Sequence, residues 1–339
     1  NYICIIMEFI KIIYFICAIL LYVSVIYAYI LIARRLKFTD IPTARSSHSN
    51  ITITGAGFIF PLAFFLPLAV TGEFIHYRAT LTGLILISIV SFSDDLKSVH
   101  QIIRVIVQVI AVSLLLWQTG GLFKMKPWQI VPGFILVVGI INSYNFMDGI
   151  NGMNALYSLS MMGILAIIRL SGILFLPVPE VFYSLIAALL AFSLFNVRKK
   201  ALCFSGDVGS ISIAYIVSLM IIQVMIATDS SVWILLFGVY GLDSVGTIVL
   251  RLIRREKVWM AHRTHFYQYL VNERKWPHVR VSALYAVMQF VLSIILYTIG
   301  FLPALILYGF YILAYIYIRL RWEGKHRLFG QYFKTSSDT

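Results

Sequence analysis

Charge is what this chain has least of. Only 12% of its 339 residues are Asp, Glu, Lys or Arg, just 14 are acidic, and 60% are hydrophobic. With a mean hydropathy of +0.91, that scarcity excludes an ordinary soluble domain, in which about 45–50% of residues are apolar. Cysteine is nearly missing too. Cys4, Cys17 and Cys203 share no metal-ligand spacing and suggest no pairing, so a disulfide framework is not expected. Internal repeats and low-complexity stretches are absent. The 27 Lys+Arg against 14 Asp+Glu give a net charge of +13. In a soluble protein that excess would suggest nucleic acid. Here the membrane surface and anionic substrates account for it, and no nucleic-acid partner is expected.

Long apolar runs are what the chain does have. A spanning helix needs about 20 mostly apolar residues, somewhat fewer when sheltered in a bundle. Such runs fall near 9–33, 56–72, 78–93, 102–118, 129–144, 152–171, 178–196, 208–227, 231–250, 281–299 and 302–320. The fold class expected is therefore an all-α polytopic membrane protein of about 11 transmembrane helices, forming a single integral-membrane domain over 1–339. The first run is longer than a signal-peptide core and lacks a clear cleavage site, so it reads as a membrane helix. Segments 34–55, 94–104, 197–207, 251–280 and 319–339 hold 22 of the 27 basic residues. By the positive-inside rule these face the cytoplasm, which puts the N-terminus outside and the C-terminus inside.

Five of the 14 acids, Asp94, Asp95, Asp148, Asp207 and Asp243, lie within or at the ends of apolar runs. A carboxylate there is costly unless it does chemistry or binds a cation. Asp94-Asp95 closes one run, followed by Lys97 and Arg104. Adjacent carboxylates suit a hard cation or a base, although a helix-end pair can simply face water. Asn142-Ser-Tyr-Asn145-Phe-Met-Asp148-Gly149-Ile-Asn151-Gly152 is the most specific stretch, with four amide or carboxylate side chains and two glycines between two apolar runs. Asn142 and Asn145 share a helical face, and the glycines permit a tight turn and close approach of a ligand. Phe204-Ser-Gly206-Asp207-Val-Gly209-Ser210 opens a run, where Asp207 is either a helix N-cap or a metal-binding carboxylate. His262-Arg263-Thr-His265-Phe-Tyr267-Gln268 lies in the long basic loop and suits either an anionic group or a solvated surface. No cysteine or acid completes a zinc set there. Asp243 reads as a helix-packing acid paired with a nearby arginine. The segment Asp40 to His48, leading to Gly55-Ala-Gly57, is either a linker or a loop that starts the next helix against phosphate.

Taken in order, Arg45-Ser-Ser-His48, Asp94-Asp95, Asn142 to Gly152, Phe204 to Ser210 and His262-Arg-Thr-His265 resemble the polyprenyl-phosphate N-acetylhexosamine-1-phosphate transferase superfamily, glycosyltransferase family 4, over nearly the whole chain. The resemblance implies transfer of an N-acetylhexosamine 1-phosphate from a UDP-sugar to undecaprenyl phosphate, with release of UMP. It implies a bacterial inner membrane, with active-site loops 34–55, 94–104, 142–152, 197–210 and 251–280 facing the cytoplasm, and it is compatible with a homodimer. It implies Mg²⁺, with Mn²⁺ as the alternative, held by Asp207 with Asn145 beside it. Asp94, with Asp95 its neighbour, matches the base or lipid-phosphate-positioning acid. Asn142, Asp148 and Asn151 fall in the nucleotide-sugar pocket. Arg104 stands where many members have a phosphate-binding lysine. His262, Arg263 and His265 belong to the loop that grips the pyrophosphate, and Arg45 and His48 to the early loop.

Two departures stand out. The family's early loop often reads Pro-Thr-Pro-Arg-Gly-Gly-Gly, where this chain has Ile51-Thr-Ile53-Thr54-Gly55-Ala56-Gly57. Tyr267 and Gln268 replace further histidines of the peptidoglycan and enterobacterial-antigen branches. His-Arg-x-His-x-Tyr-Gln is similar to the O-antigen-initiating branch, which implies a simple or deoxy sugar over a muramoyl-pentapeptide donor. The competing class is a membrane transporter, but transporters usually place ionisable groups at the midplane within internal repeats.

Overall fold

The computed structural model describes residues 2–42, 47, 51–258, 260 and 262–329. Its helices are α1 (Tyr2–Leu36), α2 (Ile59–Thr71), α3 (Arg78–Leu96), α4 (Gln101–Gln118), α5 (Gly121–Lys124), α6 (Pro127–Met147), α7 (Met153–Leu170), α8 (Pro179–Asn196), α9 (Gly206–Thr228), α10 (Gly238–Ile253), α11 (Phe266–Asn272), α12 (His278–Thr298) and α13 (Phe301–Phe329). The β-structure among the described residues is slight. Strands β1 (Thr39–Asp40) and β2 (Thr52–Ile53) pair antiparallel, and Ile53 bridges to Cys203. Proline opens α6 and α8 at a position where its missing N–H has no helical partner to lose. In lipid such a fold follows directly, because a helix satisfies its backbone groups internally.

Among the described residues, ten helices are long and apolar enough to cross a membrane. The run at 56–72, expected as an eleventh span, forms the shorter apolar helix Ala56–Thr71. It still traverses the bundle. Thr54 at its start and Asp94 and Asp95 at the end of α3 line one and the same cleft, so α2 must run away from that end before α3 returns to it. The chain is thus a multi-pass membrane protein.

Helix α9 is the central post. It is apolar on every side and buried almost without interruption from Val208 to Ile222, packed by α2, α3, α6 and α7, as expected of a helix with no polar face. The helices α1 and α13 lie at the periphery and turn Leu20, Tyr27, Ile32, Ile306, Phe310 and Leu313 outward. Between helices the ties are polar side chains on backbone carbonyls, since lipid offers no hydrophobic drive for helix association. The Tyr215 hydroxyl donates to Ala111 O on α4 at 3.0 Å. The Ser184 hydroxyl donates to Ala63 O on α2 at 2.8 Å, and the Gln289 amide donates to Leu235 O at 3.0 Å.

Candidate active site

At one end of the bundle the loops between helices enclose a cleft of about 400 Å³, lined by Thr39, Asp40, Ser47, Thr54, Asp94, Asp95, Asn145, Asp148, Gly149, Ile150, Phe204, Gly206, Asp207 and Gln268. Five carboxylates and two side-chain amides, brought together from residues 40 to 268, meet in a space of small-ligand size.

The N-terminus of α9 fixes the floor. Its first N–H groups lack helical partners, and Asp95, at the end of α3, accepts from Asp207 N at 2.8 Å and Val208 N at 3.1 Å. Asp95 is therefore the cap of α9, a carboxylate placed where the helix dipole favours it. The N-cap alternative for Asp207 is set aside, because Asp207 lies inside the first turn. Gly206 has φ 70°, and a Cβ there would come 2.5 Å from Asp95 Oδ2, so glycine is required on both counts. The early loop is fixed by pairing with this segment. Phe204 N donates to Ile53 O at 2.7 Å, Ala56 N to Phe204 O at 3.0 Å and Gly57 N to Ser205 O at 2.9 Å. Backbone hydrogen bonds thus hold the early loop against the start of α9.

Arg104 closes one side. Its guanidinium bonds Asp94 Oδ2 at 2.6 Å and Asp207 Oδ2 at 3.1 Å, while Val99 N donates to Asp94 Oδ1 at 2.6 Å. On the facing wall, Ser205 donates its hydroxyl to Asp148, and Asn154 reaches the same oxygen at 3.5 Å. Burial pushes the Asp148 carboxyl up to about 7; the Ser205 and Asn154 hydrogen bonds act against that rise and the Asp207 charge adds to it. Asn145 lines the cleft from the last turn of α6, where its Oδ1 accepts from Ser210 at 3.0 Å.

Asn142 and Asn151 face away from the cleft. The Asn142 amide exchanges hydrogen bonds with Gln108, at 2.8 and 3.4 Å, and ties α6 to α4. The buried Asn151 amide donates to Arg198 O at 2.9 Å and Lys199 O at 3.2 Å, anchoring the loop before α9. His265 is 2% exposed and lies behind the cleft wall. His262 packs 4.9 Å from it, and burial, then His265 and Arg251, hold its imidazole down to about 4, so it is neutral at physiological pH. Arg263 lines a second opening of about 470 Å³ with Asn272, Lys275, Trp276 and His278. Ser47 borders both openings. Arg45 and His48 lie outside the described residues.

Asp243, expected to pair with an arginine, does something else. It accepts from Phe266 N at 2.8 Å, Tyr267 N at 3.1 Å and the Tyr285 hydroxyl at 2.7 Å, with His265 Nδ1 3.7 Å away. It caps α11, as Asp95 caps α9. Arg319 is engaged instead by Glu323 at 2.5 Å and donates to Thr264 O at 3.0 Å. Asn154 is a polar group of the site that no motif named, and Ser205 and Gln268 lay inside motifs without a role assigned to them.

Among the described residues no three His, Cys, Asp or Glu side chains form a metal cage. The donor set nevertheless fits Mg²⁺, which takes one or two carboxylates and completes its shell with water and phosphate oxygens. Asp207 and Asn145 offer hard oxygen donors on one cleft.

Residues 77–225 match the profile of glycosyl transferase family 4, a span that holds Asp94, Asp95, Arg104, Asn142 to Asn151 and Asp207. Over 260 residues, 71% of this chain and 71% of the relative, the sequence is 23% identical to the probable undecaprenyl-phosphate N-acetylglucosaminyl 1-phosphate transferase of Bacillus subtilis (strain 168). Over 136 residues, 39% of this chain and 37% of the relative, it is 30% identical to the phospho-N-acetylmuramoyl-pentapeptide-transferases of two Streptococcus thermophilus strains. Over residues 77–225 the chain is thus similar to glycosyl transferase family 4, the polyprenyl-phosphate hexosamine-1-phosphate transferases that its motifs resemble.

Proposed function

We propose that the protein transfers an N-acetylhexosamine 1-phosphate from a UDP-sugar to undecaprenyl phosphate, starting a lipid-linked glycan of the O-antigen type. The single domain sits in a bacterial inner membrane with the cleft toward the cytoplasm. The observation that carries this reading is the convergence of Asp94, Asp95, Asp148 and Asp207 on one cleft, with Arg104 joining two of them at one end of a membrane bundle. One substrate dissolves in the cytoplasm and the other in the bilayer, so chemistry at a bundle end serves both.

In the reaction a lipid phosphate oxygen attacks the β-phosphorus of the donor. A new P–O bond forms, the bond to the α-phosphate oxygen breaks, and UMP leaves with the electron pair. The acceptor needs little deprotonation, because a phosphate monoester's second pKa is about 6. Asp94, already engaged by Val99 N and Arg104, orients the acceptor. Arg104 offsets phosphate charge once ligands displace its carboxylate contacts. Asp148 and Gln268 border the donor side. Asp207 and Asn145 would hold Mg²⁺, which when bound neutralises phosphate charge and polarises the transferred group.

The test is UMP release by purified protein with undecaprenyl phosphate, Mg²⁺ and a panel of UDP-N-acetylhexosamines that includes the muramoyl-pentapeptide donor. Release should require lipid and metal and fall by at least about 10²-fold in Asp207→Asn. The muramoyl-pentapeptide donor is the second reading, favoured by the two Streptococcus relatives. Release independent of lipid would show hydrolysis of the donor in place of transfer, and no release with any donor would reopen the transporter reading.

A further inference from the structure

Two charged side chains lie buried in α13, outside the lining of the cleft. Arg319 and Glu323 are one helical turn apart, 2% and 3% exposed, in a span long and apolar enough to cross the membrane. Ionisable groups in such a segment are costly and rarely kept without a task. All three guanidinium nitrogens are engaged. Nε and Nη2 fork onto the Glu323 carboxylate at 2.5 and 3.2 Å, a bidentate pairing that fixes the plane of the group. That plane reaches three neighbours: the Tyr315 hydroxyl at 2.7 Å, Thr247 of α10 at 3.4 Å, and Thr264 O, just before α11, at 3.0 Å. Tyr315 in turn donates to Asp243 at 3.3 Å, the acid that caps α11.

Helix α11 carries this order to the cleft. Tyr267 is fully buried, and its hydroxyl donates to Phe146 O in the last turn of α6 at 2.8 Å. Gly149 leaves the room, since a Cβ there would come 2.3 Å from that hydroxyl. The turn so held brings Asn145 and Asp148 to the cleft wall. Energetic coupling between distant positions is carried by contiguous hydrogen-bonded and packed groups of this kind. We propose that Arg319, clamped by Glu323, is a positioning residue that acts through Asp243 and Tyr267 to set the turn presenting Asn145 and Asp148 to the nucleotide-sugar donor. This rests on the reading of the cleft as the nucleotide-sugar site. The opposite wall has its own supports, because Asp94 is held by Val99 N and Arg104. The effect therefore falls on the donor side and spares the lipid phosphate.

The experiment separates position from stability. A buried ion pair exchanged for apolar residues of similar volume often costs no stability, so the double variant Arg319→Met, Glu323→Met should keep its melting temperature in detergent. In lipid-dependent UMP release its donor KM should rise about tenfold, with the KM for undecaprenyl phosphate unchanged. Tyr267→Phe, which cuts the last link, should show the same split. Adding it to the double variant should raise the donor KM no further, because members of one network do not add. Arg319→Lys cannot serve Glu323, Tyr315 and Thr264 together and should fall between; it runs the same cycle should the double variant not fold. Amide hydrogen exchange across 144–150 should quicken in these variants, and exchange across 94–99 should not. Additive effects, unaltered exchange at 144–150, or a lower kcat with both KM values unchanged would overturn the proposal while leaving the transferase reading intact. Should the wild type release no UMP, the transferase reading falls, and exchange alone decides whether α13 sets the turn.

Discussion

Arg104 stands between Asp94 and Asp207, and its planar guanidinium serves both carboxylates at once. Lysine, a single point charge on a flexible stem, holds one partner well and not two. Arg104→Lys should therefore keep partial activity, falling about tenfold in kcat/KM. Arg104→Ala, which leaves two acids facing each other without a cation, should fall at least about 10²-fold. Steady-state UMP release separates the two, and equal losses would show that only charge matters there. Asp148 makes a different prediction. Burial raises its carboxyl from an ordinary value of 3.8 to about 7, so the fold favours the protonated form. The stability contributed by that form is complete below about pH 4, where the unfolded chain is protonated too, and is lost as pH climbs through 7. Asp148→Asn is neutral at every pH. Its melting temperature in detergent should gain on the wild type between about pH 4 and 7 and hold a constant lead above that. A lead independent of pH would disprove the assignment.

Two elements owe their position to acids far away in sequence. The cap of α9 comes from Asp95, 112 residues earlier, and that of α11 from Asp243, 23 residues earlier. This is why the site was only partly legible. The acids announced themselves, because a carboxylate in an apolar run is costly unless it is used. Their partners could not be read, since a cap formed across the bundle leaves no local signature of the Ser/Thr/Asp kind. For the same reason α11 was invisible within a basic loop, and Gln268 registered only as a departure from histidine. Asn142 and Asn151 misled in the opposite sense. Their amides looked like ligand-binding groups, but they hold α4 against α6 and the 197–200 loop in place. Asp243→Ala should strip α11 of its cap and leave the Tyr285 hydroxyl without its acceptor. A loss of about 1–3 kcal/mol follows, read as a lower melting temperature together with faster proteolysis between residues 254 and 277. Asp243→Asn retains one acceptor oxygen and should fall between. An unchanged protease pattern in Asp243→Ala would show that α11 is held by its apolar contacts alone.

At the scale of the molecule, the cleft and the basic loops lie at the same end. Four of the loops that hold most of the lysines and arginines contribute Thr39, Asp94, Phe204 and Gln268 to its walls, and α13 returns to that end, where the Trp322 carbonyl accepts from Tyr269 at 2.6 Å. This places the described lysines and arginines of those segments on one side of the bundle, the asymmetry that retains a segment in the cytoplasm. On the proposed function the same excess would draw a polyanionic nucleotide toward a cleft whose own walls are acidic, so long-range charge gathers what short-range charge would repel. Orientation bears on the proposed function, which requires a nucleotide sugar to reach the cleft from the cytoplasm. With the native cysteines replaced by serine, a cysteine at exposed Lys257 should react with a membrane-impermeant maleimide in inverted vesicles and not in intact cells. A cysteine at Glu73, on the opposite turn between α2 and α3, should show the reverse. Labelling of Lys257→Cys from outside would put the cleft where no nucleotide sugar reaches it, and a cytoplasmic transferase could not then be sustained.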